Sequence, residues 1–440
     1  MKINTVSVLG ANGAMGCSVS AIFASLGKAK VYMVCRRAEA AQKAVDTART
    51  LVKDQSLLDL IPITYDRLKE CIAVSDLVFE SVSENLAIKK EIYTIAAPFV
   101  KPGAIIATGT SGFSVNNLSG SYCEKFRNSF MGIHFFNPPS TLTLCELIPS
   151  DHTDPALVAE VKDYLKNVLK RDVVEVRDAP GFIGNRIGFQ FINEAMQLAE
   201  TFQALGGIDY IDSLIGEFSG RRLAPILTAD FVGLDVHKAI VDNILLNTND
   251  YLHDTFVLPA YVRELIDKNK LGDKKSGGGV YQTIKNPDGG RLSNVYEVVS
   301  RIYRPKVKYD FPFAKAMTEA LQNENYEQAF SVLVNDKSRE ADFCLRFLIR
   351  HALYGIYISR EIGENIHSAD TAMVTGFNWV PPLAIVDALG GTEKFKILVC
   401  ERLDDDFLNK IDIETLLKDI PPSQYDYRKF FKIKKKNPAS

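Results

Sequence analysis

Asn4-Thr-Val-Ser-Val-Leu-Gly10-Ala-Asn12-Gly13-Ala14-Met15-Gly16 is the stretch whose reading decides the fold. Its first half is an apolar run that ends at glycine, the pattern of a strand buried on both faces of a parallel sheet. A helical run follows from Cys17 to Leu26, and a second strand runs from Lys30 to Val34. Strand, glycine turn, helix and strand within about thirty residues is the context that turns a glycine pattern into a dinucleotide-binding turn. The glycines permit the tight turn, the approach of backbone to a pyrophosphate and close helix packing. The helix N-terminus then offers N–H groups to the phosphate. The spacing is GxxGxxG, not GxGxxG, so the turn is read as one residue longer. The bland reading, a mere βα turn, sits poorly with this much context.

At the end of the second strand an acid is expected, to hold the adenosine ribose hydroxyls. The chain instead has Val34-Cys35-Arg36-Arg37. Losing the acid removes a discriminator for NAD, and adjacent arginines can hold a 2′-phosphate. The alternative makes Arg36 and Arg37 the solvated start of the next helix, with an arginine stacked on the adenine. On these residues NAD and NADP both stay open.

Residues 38 to 53 form an alanine-rich amphipathic helix. Asp76-Leu-Val-Phe-Glu80-Ser-Val-Ser-Glu84-Asn85-Leu-Ala-Ile-Lys89-Lys90 then runs from a strand into a helix. Gly103-Ala-Ile-Ile-Ala-Thr108 is another strand, opening into Gly109-Thr110-Ser111-Gly112. Such a loop, at a strand's C-terminal end, is where open α/β sheets bind ligands. Alternation of strand and helix from residue 1 to about 176 argues a doubly wound parallel sheet.

Within that alternation, Met131-Gly-Ile-His134-Phe-Phe-Asn137-Pro-Pro-Ser-Thr-Leu-Thr-Leu-Cys-Glu146-Leu-Ile148 reads strand, loop, strand. His134 and Glu146 can therefore meet although twelve positions separate them. A carboxylate on one imidazole nitrogen fixes the tautomer and supports the imidazolium formed when the other nitrogen takes a proton. A capped loop histidine and an unrelated surface glutamate is the competing reading, and spacing alone does not choose between them.

Composition sets the bounds. A chain of 440 residues has room for two or three cores, and 46% hydrophobic with 24% charged residues is ordinary for a globular protein. A formal net charge of -2 gives no global pull toward nucleic acid or membrane. No run of eighteen apolar residues marks a transmembrane helix. Met1-Lys2 leads directly into strand-like Ile3 to Leu9, so no signal peptide is read and a cytoplasmic location is expected. Cysteines 17, 35, 71, 123, 145, 344 and 400 show neither CxxC nor metal spacing, and are read as reduced thiols.

Taken together, Asp76 to Leu86, Thr110-Ser111, Gly132-Ile-His134-Phe-Phe-Asn137-Pro, Glu146 and Asp178-Ala-Pro-Gly-Phe-Ile-Gly-Asn185-Arg186 resemble the L-3-hydroxyacyl-CoA dehydrogenase family. The match runs in the family's order and near its spacing from residue 1 to about 285. The resemblance implies an α/β Rossmann-like doubly wound domain followed by all-α helical domains of the family's C-terminal type. It implies His134 as general base or acid and Glu146 as its carboxylate partner. Ser111 and Asn185 would hydrogen-bond the substrate oxygen or help hold the histidine. Gly10, Asn12, Gly13, Ala14, Met15 and Gly16 would hold the pyrophosphate, with Arg36 near the adenosine. Glu84, Lys89, Asn137 and Lys275 would lie around the ribose and nicotinamide; Lys275 sits in Gly272-Asp-Lys-Lys275-Ser-Gly-Gly-Gly-Val-Tyr281. The chemistry suits these types, since a histidine can carry the hydroxyl proton while the cofactor takes the hydride. The expected cofactor is NAD, with NADP kept open by Cys35-Arg36-Arg37. One departure bears on substrate: the segment before Asp76 is shorter than in typical members, whose helical hairpin there contacts CoA. Lys43, Arg49 and Lys53 could meet its phosphates, or simply form a solvated helix face.

From Gly181 onward the periodicity is helical. A second copy follows, because Pro382-Leu-Ala-Ile-Val-Asp387-Ala-Leu-Gly390 matches Pro225 to Gly233 at a constant offset of 157, and Asp370 lies against Asp212. The copy lacks counterparts of Asn185 and Lys275 and is read as structural. It could supply within one chain the partner that short members find in a dimer, so a monomer with a built-in pseudo-dimer stands beside a homodimer. The domains expected are residues 1–178, 179–290 and 291–440, the last containing a linker and the duplicate. Ile302-Tyr-Arg-Pro-Lys-Val-Lys and Val334-Asn-Asp-Lys resemble long multifunctional members that also carry an enoyl-CoA hydratase unit, so the expectation is either a stand-alone dehydrogenase or one that works beside a separate hydratase. The basic tail, Arg428 to Lys436, is read as a solvated terminus, with a membrane surface as the minor alternative. The expected reaction is interconversion of an L-3-hydroxyacyl-CoA and its 3-oxo form. The rivals are a dehydrogenase of a 3-hydroxy acid without CoA and a catalytically silent nucleotide-binding scaffold for a hydratase.

Overall fold

The computed structural model describes residues 1–55, 58–120, 124–285 and 290–433. Cys123 and the tail lysines Lys434, Lys435 and Lys436 lie outside them. The chain divides into two compact units, residues 1–183 with 362–364, and residues 184–361 with 365–440.

The first unit is built on an eight-stranded sheet in the order β3-β2-β1-β4-β5-β6-β7-β8. The strands are β1 (Thr5–Leu9), β2 (Lys30–Cys35), β3 (Leu60–Thr64), β4 (Leu77–Glu80), β5 (Ile105–Thr108), β6 (Phe130–Phe135), β7 (Leu144–Pro149) and β8 (Asp172–Glu175). All neighbours run parallel except β6 and β7. Val6, Ser7, Val8 and Leu9 have no exposed surface, as a strand covered on both faces requires. The one polar residue among them is satisfied, with Ser7 Oγ 2.8 Å from Ser75 Oγ. Helix α1 (Ala14–Ser25) packs its Phe23 edge-on against Phe79 of β4, and Phe79 meets Phe135 of β6 in the same way, both at 6.0 Å. The strand order reverses between β1 and β4, so a crevice opens there beyond the carboxyl ends of the strands.

β3 has no clear strand signal in the sequence. Pro62 lies in its middle, and a proline within an apolar run argues against a strand. At the sheet edge the missing N–H costs nothing, and β3 is an edge strand.

The second unit is helical. Helix Gly184–Thr201 is buried continuously from Gly184 to Met196, the signature of a core helix. The duplication is visible in its capping geometry. Asp212 accepts the N–H groups of Ile226 and Leu227, both at 2.9 Å, at the start of helix Pro225–Val232. Asp370 accepts the N–H of Leu383 at 2.9 Å, at the start of helix Pro382–Ala388. In each copy one further residue staples two aspartates. Tyr281 donates its hydroxyl to Asp212 at 2.7 Å and its N–H to Asp230 at 3.1 Å. Ser423 donates its hydroxyl to Asp370 and its N–H to Asp387. Equivalent segments also pair across the copies: Arg221 bridges Trp379 in antiparallel fashion, and Val380 N–H donates to Gly220 O at 2.9 Å. Like segment on like segment is the pattern of an isologous contact.

Burial, only partly offset by the Ser423 and Leu383 donors, pushes Asp370 up to about 7, and burial likewise pushes Asp212 up to about 6. The folded chain thus keeps protons that the unfolded chain releases near the ordinary carboxylate value. Each raised acid therefore costs stability as pH rises from about 4 to about 7, and the cost stays constant above that. Asp370→Asn carries no such proton. Its stability relative to wild type should rise by roughly 2–4 kcal/mol between pH 4 and pH 7.5 in urea unfolding. A difference that is flat over this window contradicts the burial effect.

The stretch read as a linker is folded. Tyr281–Lys285, Arg291–Tyr296 and Tyr303–Pro305 form a three-stranded sheet, and helices Pro312–Gln322 and Tyr326–Asn335 follow. The described part of the basic tail is docked. Phe431 is buried against Phe330 at 4.9 Å, Arg428 pairs with Asp426 and Lys432 pairs with Glu324. Among the described residues no helix is long and apolar enough to cross a membrane, and no cluster of His, Cys, Asp and Glu could hold a metal ion.

Candidate active site

The antiparallel pairing of β6 with β7 sets His134 directly opposite Glu146. His134 Nδ1 lies 2.8 Å from Glu146 Oε2, and both side chains are buried. The other carboxylate oxygen, Oε1, accepts the N–H of Ile183 at 2.9 Å. That N–H arrives through a sharp turn in which Gly181 and Phe182 have φ of 74° and 50°. For a phenylalanine this is an uncommon conformation. The same turn sets the Phe182 ring 5.6 Å from the imidazole, with Phe136 at 4.7 Å on another side. A carboxylate accepts only, so with Glu146 facing Nδ1 a neutral imidazole carries its proton there and leaves its lone pair on Nε2. The arrangement is that of an oriented proton acceptor in an aromatic surround.

A second polar assembly lies at the carboxyl ends of β4 and β5. Glu80, the last residue of β4, accepts from Val82 N–H at 2.8 Å, Lys89 Nζ at 2.8 Å, Tyr93 Oη at 2.7 Å and Thr108 Oγ1 at 2.8 Å. Lys89 is buried and also reaches Glu84 Oε2 at 3.1 Å. Glu84 in turn accepts Thr110 Oγ1 at 2.5 Å and Ser111 N–H at 2.9 Å through Oε1. Asn85 caps helix Leu86–Ala96 by accepting from Ile88 N–H at 3.1 Å. Asp178 fixes the next turn, accepting from Ser114 Oγ, Val115 N–H and Asn116 N–H at 2.7–2.9 Å. Glu80, Tyr93 and Thr108 escaped the sequence reading. The available signal was an acid closing the apolar run Leu77-Val-Phe-Glu80.

The glycine turn closes on these residues. Gly10 has φ of 80°, and a Cβ there would sit 2.7 Å from Ser81 O and 2.8 Å from Val82 Cα. A Cβ on Gly16 would sit 2.7 Å from Gly10 O. Only glycine lets the three segments approach this closely. Gly13 starts α1 without a side-chain cap. Cys35, at the end of β2, is buried, while Arg36 and Arg37 are exposed. Asn12, Gly13, Ala14 and Lys43 line one cavity of about 420 Å³; Lys43, exposed on α2 (Ala38–Thr50), also lines another of about 600 Å³ with Glu39, Thr64 and Arg67.

The other expected site residues fall as follows. Asn137 is exposed in the loop after β6. Asn185 opens helix Gly184–Thr201 of the second unit, beside Arg186, which pairs with Asp250 at 2.8 Å. Lys275, also in the second unit, donates to both oxygens of Asp235 at 2.6 and 2.8 Å.

The chain matches two family models. Residues 5–179 match 3-hydroxyacyl-CoA dehydrogenase, NAD binding domain, and residues 181–283 match 3-hydroxyacyl-CoA dehydrogenase, C-terminal domain. A probable 3-hydroxyacyl-CoA dehydrogenase of Deinococcus radiodurans is 33% identical over 300 residues, covering 65% of this chain and 84% of that protein. A probable 3-hydroxyacyl-CoA dehydrogenase of Bacillus subtilis is 30% identical over 327 residues, covering 74% of this chain but only 40% of that longer protein. In fold, the crystal structure of 3-hydroxybutyryl-CoA dehydrogenase from Escherichia coli superposes with a TM-score of 0.67 over 92% of this chain and 96% of that one, at 21% identity.

Proposed function

Because the chain belongs to the 3-hydroxyacyl-CoA dehydrogenase family, we propose that it interconverts an L-3-hydroxyacyl-CoA and a 3-oxoacyl-CoA by hydride transfer with a nicotinamide cofactor. The observation that carries this reading is the buried His134–Glu146 pair, whose second carboxylate oxygen is tied to Ile183 N–H. The tight turn at Gly10 and Gly16, where a Cβ would strike the backbone of Ser81, Val82 or Gly10 itself, brings the start of α1 to the sheet's carboxyl edge and supports dinucleotide binding there, as the match to the family's NAD-binding domain implies. Bound there, the nicotinamide gives or takes the hydride. His134 Nε2 takes the hydroxyl proton during oxidation and returns it to the carbonyl oxygen during reduction. Glu146 stabilises the imidazolium formed in between. Phe136 and Phe182 shield the ring from water, which strengthens the carboxylate's hold on it. Ser111 takes the family's role of orienting the substrate oxygen. Lys43 is the cation offered to a CoA phosphate, and an enoyl-CoA hydratase is the activity that would supply the hydroxy substrate.

The test is reduction of 3-oxoacyl-CoA followed by NADH and NADPH absorbance. Turnover with at least one acyl length is expected. Its absence at every length removes the proposal. The short segment between β2 and Asp76 favours one second reading, a 3-hydroxy acid without CoA. Turnover of the free 3-oxo acid at a rate equal to that of its thioester would establish it. For the cofactor, the exposed Arg36 and Arg37 beside buried Cys35 support acceptance of a 2′-phosphate. Arg36→Ala combined with Arg37→Ala should raise the KM for NADPH about tenfold while leaving that for NADH within about twofold, the loss of one to two charge-assisted hydrogen bonds. Equal effects on both cofactors contradict the assignment.

A further inference from the structure

The assembly at the ends of β4 and β5 sets two glutamates on one lysine. Every group facing Glu80 is a donor: Val82 N–H, the Lys89 ammonium, and the hydroxyls of Tyr93 and Thr108. Glu84 faces the Lys89 ammonium as an ion pair through Oε2 and accepts from Thr110 and Ser111 through Oε1. Among the described residues each glutamate thus faces donors and an ammonium alone. Two carboxylates share one ammonium, so the triad carries a surplus of one negative charge, and among the described residues no second cation pairs with either glutamate. Glu80 and Lys89 are buried, whereas the Glu84 side chain is 43% exposed, so the surplus is presented outward at Glu84.

Its position matters. The triad ends at the loop Thr110–Ser111, at the carboxyl edge of the sheet. The glycine turn touches Ser81 and Val82, the residues directly after Glu80. A dinucleotide bound across the switch point would bring its nicotinamide end to this crevice. The oxidised nicotinamide is cationic and the reduced one is neutral. We infer that the Glu80–Lys89–Glu84 triad is an electrostatic selector that binds the oxidised cofactor in preference to the reduced one. Glu80 acts as a positioning residue, since it fixes Lys89 and through it the orientation of Glu84. The inference rests on the nicotinamide-dependent reading given above. It concerns which redox form the site favours, not whether the site turns over.

Equilibrium binding tests it. Dissociation constants for the oxidised and reduced forms are measured by calorimetry, using whichever of the NAD or NADP pair wild type binds, for wild type, Glu84→Gln and Glu80→Gln. Removing one charge near the ring should lower the oxidised-to-reduced affinity ratio by about five- to tenfold in each variant. Glutamine at 84 can still accept from Ser111, and any loosening of the loop weakens both forms together; only a charge separates them. Raising the salt should shrink the wild-type ratio toward that of the variants. Glu84→Gln, on an exposed side chain, keeps the test open should the buried Glu80→Gln fail to fold by thermal melting. A ratio unchanged in folded Glu84→Gln overturns the selector alone. Failure of wild type to bind either form of either pair overturns the selector and the proposed function together.

Discussion

His134→Ala is expected to lower kcat/KM for 3-oxoacyl-CoA reduction by about 10²–10⁴-fold, the range of a positioned acid–base group. The more discriminating variant is Glu146→Gln. The wild-type carboxylate accepts two hydrogen bonds at once, from His134 Nδ1 at 2.8 Å and from Ile183 N–H at 2.9 Å. A glutamine amide has one acceptor and one donor end. If its oxygen serves the fixed backbone N–H, its NH₂ group faces Nδ1. The imidazole must then place its proton on Nε2, which removes the lone pair that the reaction uses. If the amide turns round, two N–H groups oppose each other in a buried site, at a cost of about 1–3 kcal/mol. Either way kcat should fall by about two orders of magnitude or more while the substrate KM changes little, because what is lost is a proton acceptor and not a binding contact. Steady-state kinetics across pH 5–9 checks this. A Glu146→Gln enzyme that keeps wild-type kcat and an unshifted pH profile removes the pair from the mechanism.

The second large effect concerns stability. Asp209 is fully buried in the second unit and accepts Arg304 Nη1 at 2.8 Å, Arg304 Nη2 at 2.7 Å and Val307 N–H at 2.7 Å. Arg304 also donates to Gly206 O at 2.8 Å. This cluster latches the strand Tyr303–Pro305 to helix Ile208–Leu214. Removing the arginine leaves a carboxylate without its counter-ion in a dry site. Arg304→Met should therefore cost about 3–5 kcal/mol in urea unfolding, far more than the pair is worth against an apolar replacement of both partners. The double variant Asp209→Leu with Arg304→Met should recover a substantial part of the loss. A single variant within about 1 kcal/mol of wild type would show that water reaches Asp209.

Much of this protein is legible from local sequence. The run Thr5 to Leu9, the glycines at 10, 13 and 16 and the return to a strand at Lys30 specify the first β-α-β unit through short-range sterics: apolar periodicity, and a backbone angle at Gly10 that a side chain would forbid. The duplicated Asp, Pro, Asp and Gly positions are legible for another reason, because the same residues recur at a constant offset, although the contacts that Asp212 and Asp370 make lie thirteen to fifteen residues away. Other features depend on what arrives from afar. Whether His134 meets Glu146 depends on the register of an antiparallel pair, and a one-residue slip would turn one of them to the opposite face. Pro62 hid β3, since only its place at the sheet edge makes the missing N–H harmless. The bare run Leu77-Val-Phe-Glu80 does not reveal that its acid collects a lysine nine residues on, a tyrosine thirteen on and a threonine twenty-eight on. Nor does Lys275 announce Asp235 as its partner. Local pattern determined the strands and the turn, because their causes lie within a few bonds of each residue, and the constant offset exposed the repeat. The tertiary structure alone decided which charges meet, because that depends on donors delivered by other strands and helices into a buried site where each must find its acceptor.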